Sequence, residues 1–341
     1  MKFKLAKFMN NLIQVSTNNW QHALRNAVTR PEELLQLLKL PNELLPAAKS
    51  AAELFPLRVP REFVSRIEVG NENDPLLRQI LPIHLEHIEV PGYSNDPLEE
   101  ASASPVPGLV HKYKDRVLLI TSGACAINCR YCFRRHYPYE ENQLGGTQWQ
   151  FALQYIKENT DLKEVIFSGG DPLVTSDTRL LKMLNDLESI EHLERVRFHT
   201  RFPVVIPARI TEQFCQILAN TRLNSVVVLH INHSNEIDPD LGDAISKLKS
   251  AGATILNQAV LLKGVNDTAN ELATLSRKLF SHGALPYYLF LFDPVAGASH
   301  FDVGDEKGLA LYKELQAELP GYLLPKLAKE IPGRSSKTLV T

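Results

Sequence analysis

The run Val117-Leu-Leu-Ile-Thr-Ser-Gly-Ala-Cys125-Ala-Ile-Asn-Cys129-Arg-Tyr-Cys132-Phe-Arg134 joins two signals. Residues 117–121 form a short apolar, β-branched stretch of the kind that builds a buried strand. Straight after it stand three cysteines, with three residues between the first pair and two between the second. That spacing folds a loop in which three thiolates converge, and thiolates are soft ligands for iron–sulfur clusters, zinc or copper(I). A closed zinc site or an ordinary four-cysteine cluster wants a fourth ligand. The one other cysteine, Cys215, lies in Ile-Thr-Glu-Gln-Phe-Cys-Gln-Ile-Leu-Ala, which reads as the apolar face of a helix. Two readings follow. One is a cluster held by Cys125, Cys129 and Cys132, with an iron open to a ligand that is not protein. The other is a zinc knuckle completed by His136.

Outward from this loop the chain alternates. Strand-like runs fall at 117–121, 164–168, 195–200, 225–230, 254–260 and 286–291, and helical stretches at 147–159, 178–188, 210–220, 242–251 and 266–281 separate them. A last helix, 305–318, follows the sixth strand. Such alternation predicts α/β architecture with parallel strands and crossover helices. Six units are too few to close an eight-stranded barrel, so the expected fold is an open, three-quarter (βα)6 TIM-like barrel. In barrels of this kind chemistry sits at the carboxyl ends of strands. Here those ends carry Cys125, then Ser168-Gly-Gly-Asp171, then His199 and Arg201, then His230 and His233, then Gln258, and finally Asp293.

Residues 1–105 read as a helical N-terminal extension punctuated by proline, with helices expected within 30–39, 58–67 and 74–81. The core is expected over 106–325 and a short C-terminal segment over 326–341. The 341 residues hold 44% hydrophobic and 22% charged side chains and a net charge of −2, so no basic field points to nucleic acid or acidic lipid. Four cysteines, three of them clustered, are no disulfide framework and suit a reducing compartment. The cationic start of the chain is interrupted by Asn10, Asn11 and Gln14, which argues against a secretory leader, and no apolar run reaches membrane-spanning length. A cytoplasmic location is expected.

The cysteine loop after a buried strand resembles that of the radical S-adenosylmethionine (SAM) superfamily. This resemblance implies a 4Fe-4S cluster on Cys125, Cys129 and Cys132 whose open iron takes the amino and carboxylate groups of SAM, with Tyr131 near the adenine. It also implies that Ser168, Gly169, Gly170 and Asp171 hold the methionine part, and that His230 and Gln258 face the same cofactor. Two glycines would let backbone approach a ligand closely, and Asp171 could accept from an ammonium.

A second resemblance is at the C-terminus. Lys329-Glu330-Ile-Pro-Gly-Arg-Ser-Ser-Lys337 is similar to the Pro-Gly-rich loop ending in lysine of the lysine 2,3-aminomutase family, and the similarity extends from about residue 58 to 338. It implies that Lys337 binds pyridoxal 5′-phosphate through its amine, with Ser335 and Ser336 near the phosphate and Arg116 facing the ring. Arg134 is then placed for a substrate carboxylate, and Asp293 and Glu330 for the distal ammonium of L-lysine. The nearest likeness is to the short bacterial branch, which makes (R)-β-lysine for modification of elongation factor P. It implies functional links to that factor and its lysine ligase, and an electron donor such as flavodoxin. It implies no zinc site, since the zinc-binding cysteines of the longer fermentative enzymes lie in an extension with no counterpart among the residues after Cys215. Those enzymes carry aspartate where Glu330 stands and glycines at 334–336. Two rivals are a radical aminomutase acting on glutamate or arginine, and a non-enzymatic iron–sulfur or zinc-binding module.

Overall fold

Buried apolar runs become strands, and the computed structural model, which describes residues 19–142 and 144–341, forms all six that the sequence predicts. Strand β1 (Leu109–Tyr113) turns back antiparallel onto β2 (Arg116–Ser122). There follow β3 (Glu164–Gly169), β4 (Arg195–Thr200), β5 (Asn224–His230), β6 (Thr254–Val260), β7 (Leu285–Phe290) and β8 (Lys326–Lys329), each parallel to its predecessor. The short β9 (Thr338–Leu339) pairs antiparallel with β8. Spatial order equals sequence order from β1 to β9, so the sheet curls but stays open, with β1 and β9 at its edges. Strand β3 is buried at every position while β4 alternates, the patterns of a strand covered on both faces and of one with a half-exposed face.

The crossover helices are α1 (Gly146–Glu158), α2 (Asp177–Glu188), α3 (Glu212–Asn220), α4 (Pro239–Ser250) and α5 (Ala269–Ser281), with α6 (Asp305–Glu318) leading into β8. Side chains of Ser176, Thr211, Asp238 and Thr268 accept from backbone N–H groups in the first turns of α2 to α5, satisfying donors that a helix start leaves free. Cys215 on α3 is half-buried against the core. Parallel strand β8 is an addition to the six units expected, and β1 and β9 add two antiparallel edges.

In the N-terminal part, Pro31–Leu38 is helical with Leu34, Leu35 and Leu38 buried, while only Arg61–Val64 of the stretch 58–67 and Pro75–Arg78 of 74–81 are helical. These side chains share one apolar core with the barrel. Residues 1–18, which include the cationic start and Asn10, Asn11 and Gln14, lie outside the described residues. The carboxyl ends of β2 to β7 open on one cavity of about 400 Å³.

Candidate active site

The cysteine loop leaves β2 at Ser122 and crosses the rim of the barrel against the end of β3. Gly169 has φ +115, and a Cβ there would stand 2.5 Å from the Ser122 carbonyl oxygen; one on Gly170 would collide with the Ala124 carbonyl. The Gly170 N–H donates to Ser122 O at 2.7 Å and the Asp171 N–H to Ala124 O at 2.9 Å. The close approach for which glycine is needed is therefore to the loop's own backbone. Asp171 is held by four hydrogen bonds within the protein. Its carboxylate, 4% exposed, accepts from the N–H groups of Leu173 (3.0 Å), Arg201 (2.8 Å) and Phe202 (2.9 Å) and from the Thr200 hydroxyl (2.7 Å). Burial raises its pKa against those bonds. It ties the rim of β3 to that of β4, and Asp171 also borders the cavity.

Arg130, inside the cysteine loop, is 0% exposed. It donates from Nε to Glu86 Oε1 at 2.8 Å, from Nη1 to the Phe55 carbonyl at 2.6 Å and from Nη2 to Glu86 Oε2. Glu86 also accepts from Arg135 Nη2 at 2.6 Å. The short helix His84–His87 and Phe55, which caps the helix Leu45–Leu54, thus clamp the loop from the N-terminal part, a function no sequence motif announced.

The three thiols border the cavity. Burial, then the neighbouring cysteines, pushes Cys125 well up, and burial followed by Cys129 pushes Cys132 to about 11. The raised Cys125 and Cys132 thiols border the cavity with Cys129, a soft donor set to which a cationic metal centre would bring the missing counter-charge. Among the described residues no three His, Cys, Asp or Glu side chains are grouped as for a single metal ion. Cysteines of a cluster bind different irons and need not meet at one point, so this donor set fits a cluster. It does not fit a zinc knuckle: His136 is exposed and its Nε2 bonds the Ala296 carbonyl at 3.1 Å.

Beside the cysteines, Tyr131 stacks on His230, with centroids 5.6 Å apart and planes at 17°. The Tyr131 hydroxyl meets His230 Nε2 at 2.9 Å and accepts from Asn232 Nδ2 at 2.6 Å. Burial, then the charge of Arg201, lowers His230 to about 3, leaving a neutral imidazole. Strand register sets Gln258 next to His230, and both line the cavity with Ser168.

At the other end the β8–β9 register pairs Lys329 with Thr338, so the next residues, Glu330 and Lys337, face each other. Lys337 Nζ is ion-paired with Glu330 and lies 4.8 Å from the centre of the Phe290 ring, inside the cavity. Glu330 also accepts from Lys112 Nζ at 3.1 Å, and Lys112 stands 4.0 Å from Glu100. Glu100 in turn forks onto Arg134, whose Nε and Nη2 donate at 2.6 and 2.7 Å. Five charges of alternating sign thus run along the wall from Arg134 to Lys337. The bidentate pairing expected between Arg134 and a substrate carboxylate is made here by Glu100, while Arg134 Nη1 donates to Ser168 Oγ and Gly169 O, both at 3.2 Å. Glu330 is buried, which opposes its charge, but Lys337 and Lys112 outweigh that and hold it at about 2. Asp293 is raised to about 7 by burial and by Glu330, against the pull of Lys337. Arg116 lines the cavity, bonds Asp115 at 2.6 Å and covers the Tyr113 ring at 4.4 Å. Ser335 and Ser336 lie on the exposed loop 331–336 and are not among the lining residues. Glu100 and Lys112 carried no sequence signal.

The pattern of the radical SAM superfamily matches residues 119–275, from β2 into α5. An L-lysine 2,3-aminomutase of Haemophilus influenzae is 52% identical, over 94% of this chain and 95% of its own. The chain belongs to the L-lysine 2,3-aminomutase family. A second member, from Escherichia coli, is 51% identical over 95% of this chain and 94% of its own. One from Clostridium subterminale is 34% identical over 95% of this chain but 78% of its own, in keeping with a short bacterial branch. Membership of this family makes the chain a radical SAM isomerase that uses a 4Fe-4S cluster, SAM and pyridoxal phosphate. The open barrel expected from the strand count is the fold observed. Among the described residues no helix is long and apolar enough to cross a membrane.

Proposed function

We propose that the enzyme moves the α-amino group of L-lysine to C3, giving (R)-β-lysine. The observation that carries this reading is a single cavity lined at one end by three thiols and at the other by Lys337 beside two carboxylates, Asp293 and Glu330. In it, Cys125, Cys129 and Cys132 hold the cluster, and Tyr131, His230, Gln258 and the rim at Ser168–Gly170 border SAM. Lys337 holds pyridoxal phosphate, with Arg116 beside it. When bound, the cluster and SAM supply a hydrogen-abstracting carbon radical, and pyridoxal phosphate supplies the carbonyl that carries the migrating nitrogen.

The chain's own groups position the substrate. Glu330 holds the Lys337 amine in an ion pair, so Lys337 must leave that carboxylate to act as a nucleophile. Lys112, already 3.1 Å from Glu330, then remains as that carboxylate's partner. Asp293 accepts the distal ammonium. The substrate carboxylate takes the Arg134 fork as Glu100 turns toward Lys112, and apolar walls keep water from the reacting carbons. A glutamate substrate would set a third carboxylate against Asp293 and Glu330, which disfavours it.

The resemblance to the short branch supports a cytoplasmic enzyme whose β-lysine passes to a ligase acting on elongation factor P, with flavodoxin as electron donor. The working parts are the extension to residue 105, the core 106–325 and the cofactor-binding tail 326–341. The test is incubation of reduced, reconstituted enzyme with carbon-13 lysine, arginine or glutamate, followed by nuclear magnetic resonance. A β-amino product is expected from lysine; product from arginine or glutamate alone overturns the substrate.

A further inference from the structure

Arg201 follows the last residue of β4 and is buried at 6% exposure, with its backbone N–H held by Asp171 at 2.8 Å. Its Nη1 lies 2.8 Å from the sulfur of Cys129 and also donates to the Tyr131 hydroxyl. Its Nη2 donates to Gln79 Oε1 at 2.7 Å and to Glu236 Oε2 at 2.9 Å. Nε is buried without a partner. Glu236 is fully buried behind it, fixed by the backbone N–H groups of Asn232 (2.9 Å) and His233 (3.0 Å) on its other oxygen. The pair is a fixed dipole whose cationic end meets the sulfur and whose anionic end faces away.

A buried ion pair of this kind adds little to stability, because desolvation of two charges roughly cancels their attraction. An unpartnered Nε makes the balance worse. Packing alone therefore does not account for a guanidinium here. Next to a cluster thiolate it has a definite effect: hydrogen bonds and positive charge at the sulfur favour the reduced, more anionic cluster and raise its potential.

We propose that Arg201 is a positioning residue that sets the reduction potential of the cluster through its hydrogen bond to Cys129, and that Glu236 limits how much of its charge the sulfur experiences. This rests on Cys129 being a cluster ligand. The two ends of the dipole act with opposite sign. Replacing Arg201 by methionine removes the donor and the cation, so the midpoint potential becomes more negative. Replacing Glu236 by glutamine removes the opposing anion, so the potential becomes less negative. Arg201→Lys, which keeps charge but loses the fork, falls between Arg201→Met and the parent.

The experiment is a redox titration of reconstituted, SAM-free enzyme followed by electron paramagnetic resonance, with iron measured in every sample. Opposite displacements in Arg201→Met and Glu236→Gln are the expected result. Unchanged potentials, or displacements of one sign, in variants with full iron content overturn the role of Arg201 and leave the cluster assignment intact. Cys129→Ala that retains parental iron and signal overturns the assignment itself. If Arg201→Met assembles no cluster, Arg201→Lys and Glu236→Gln decide by the same opposition. Failure of all three to assemble one makes Arg201 structural and ends the proposal.

Discussion

At Asp293 the pocket keeps a proton that a cationic ligand expels. With its pKa near 7, the carboxyl is largely protonated at pH 6 and ionised at pH 8.5, so lysine should bind more tightly as pH rises through about 7. Calorimetry in buffers of different ionisation enthalpy should show proton release on binding at pH 6 and almost none at pH 8.5. Asp293→Asn should abolish that difference and weaken binding roughly tenfold or more, the loss of about one charge contact. Arg134 leads to a second expectation. Glu100→Gln leaves the guanidinium with a weaker competitor than the native fork, so lysine affinity measured by titration should rise several-fold. That Asp293, Lys337 and the cysteines gather at one cavity was legible because each follows a strand or stands in a short motif. Glu100 and Lys112 were not, since their partners lie 34 and 218 positions away and a lone charge in sequence looks like a solvated one. Asp171 is the converse: its motif was visible, but its four hydrogen bonds inside the protein were not, because an acid beside two glycines reads equally as a ligand or as a brace.

Among the elements, the long apolar runs and capped helices were readable because burial and end chemistry leave local marks. Strands of four and two residues leave almost none, so β8 and β9 escaped, and β1 was hidden in the polar approach to β2. The N-terminal helices looked like packing alone; their second use, gripping Arg130 through Glu86 and the Phe55 carbonyl, exists only in three dimensions. Removing one member of that wholly buried pair strands the other. Glu86→Gln should destabilise the protein by about 3–5 kcal/mol, read as a fall in the urea midpoint, and should lower iron retention with it. A substitution that left both unchanged would show that the loop is held elsewhere.

For the whole molecule, the strand count foretold an open barrel, since six units fall short of the closed eight-stranded one. The count alone could not reveal that the chain continues along the same sheet through β8 and β9 to bring its tail back over the cavity. That continuation gives the two loading sites different supports: the thiols hang from the loop after β2, whereas Lys337 stands immediately before β9. The two ends should therefore fill independently. Lys337→Ala should lose the pyridoxal absorption band yet keep parental iron content, and iron chelation should leave that band in place. Loss of both groups together in either experiment would contradict the separation.

The terminal hairpin has one more implication, which is a matter of parity. Side chains along extended backbone alternate sides, so Lys337 and its neighbour Thr338 point oppositely. Exchanging these two residues yields a polypeptide of identical composition, mass and formal charge, differing only in which of two adjacent positions bears the amine. That isomer would aim its nitrogen away from the chamber, and neither added cofactor nor higher pH would restore the attachment.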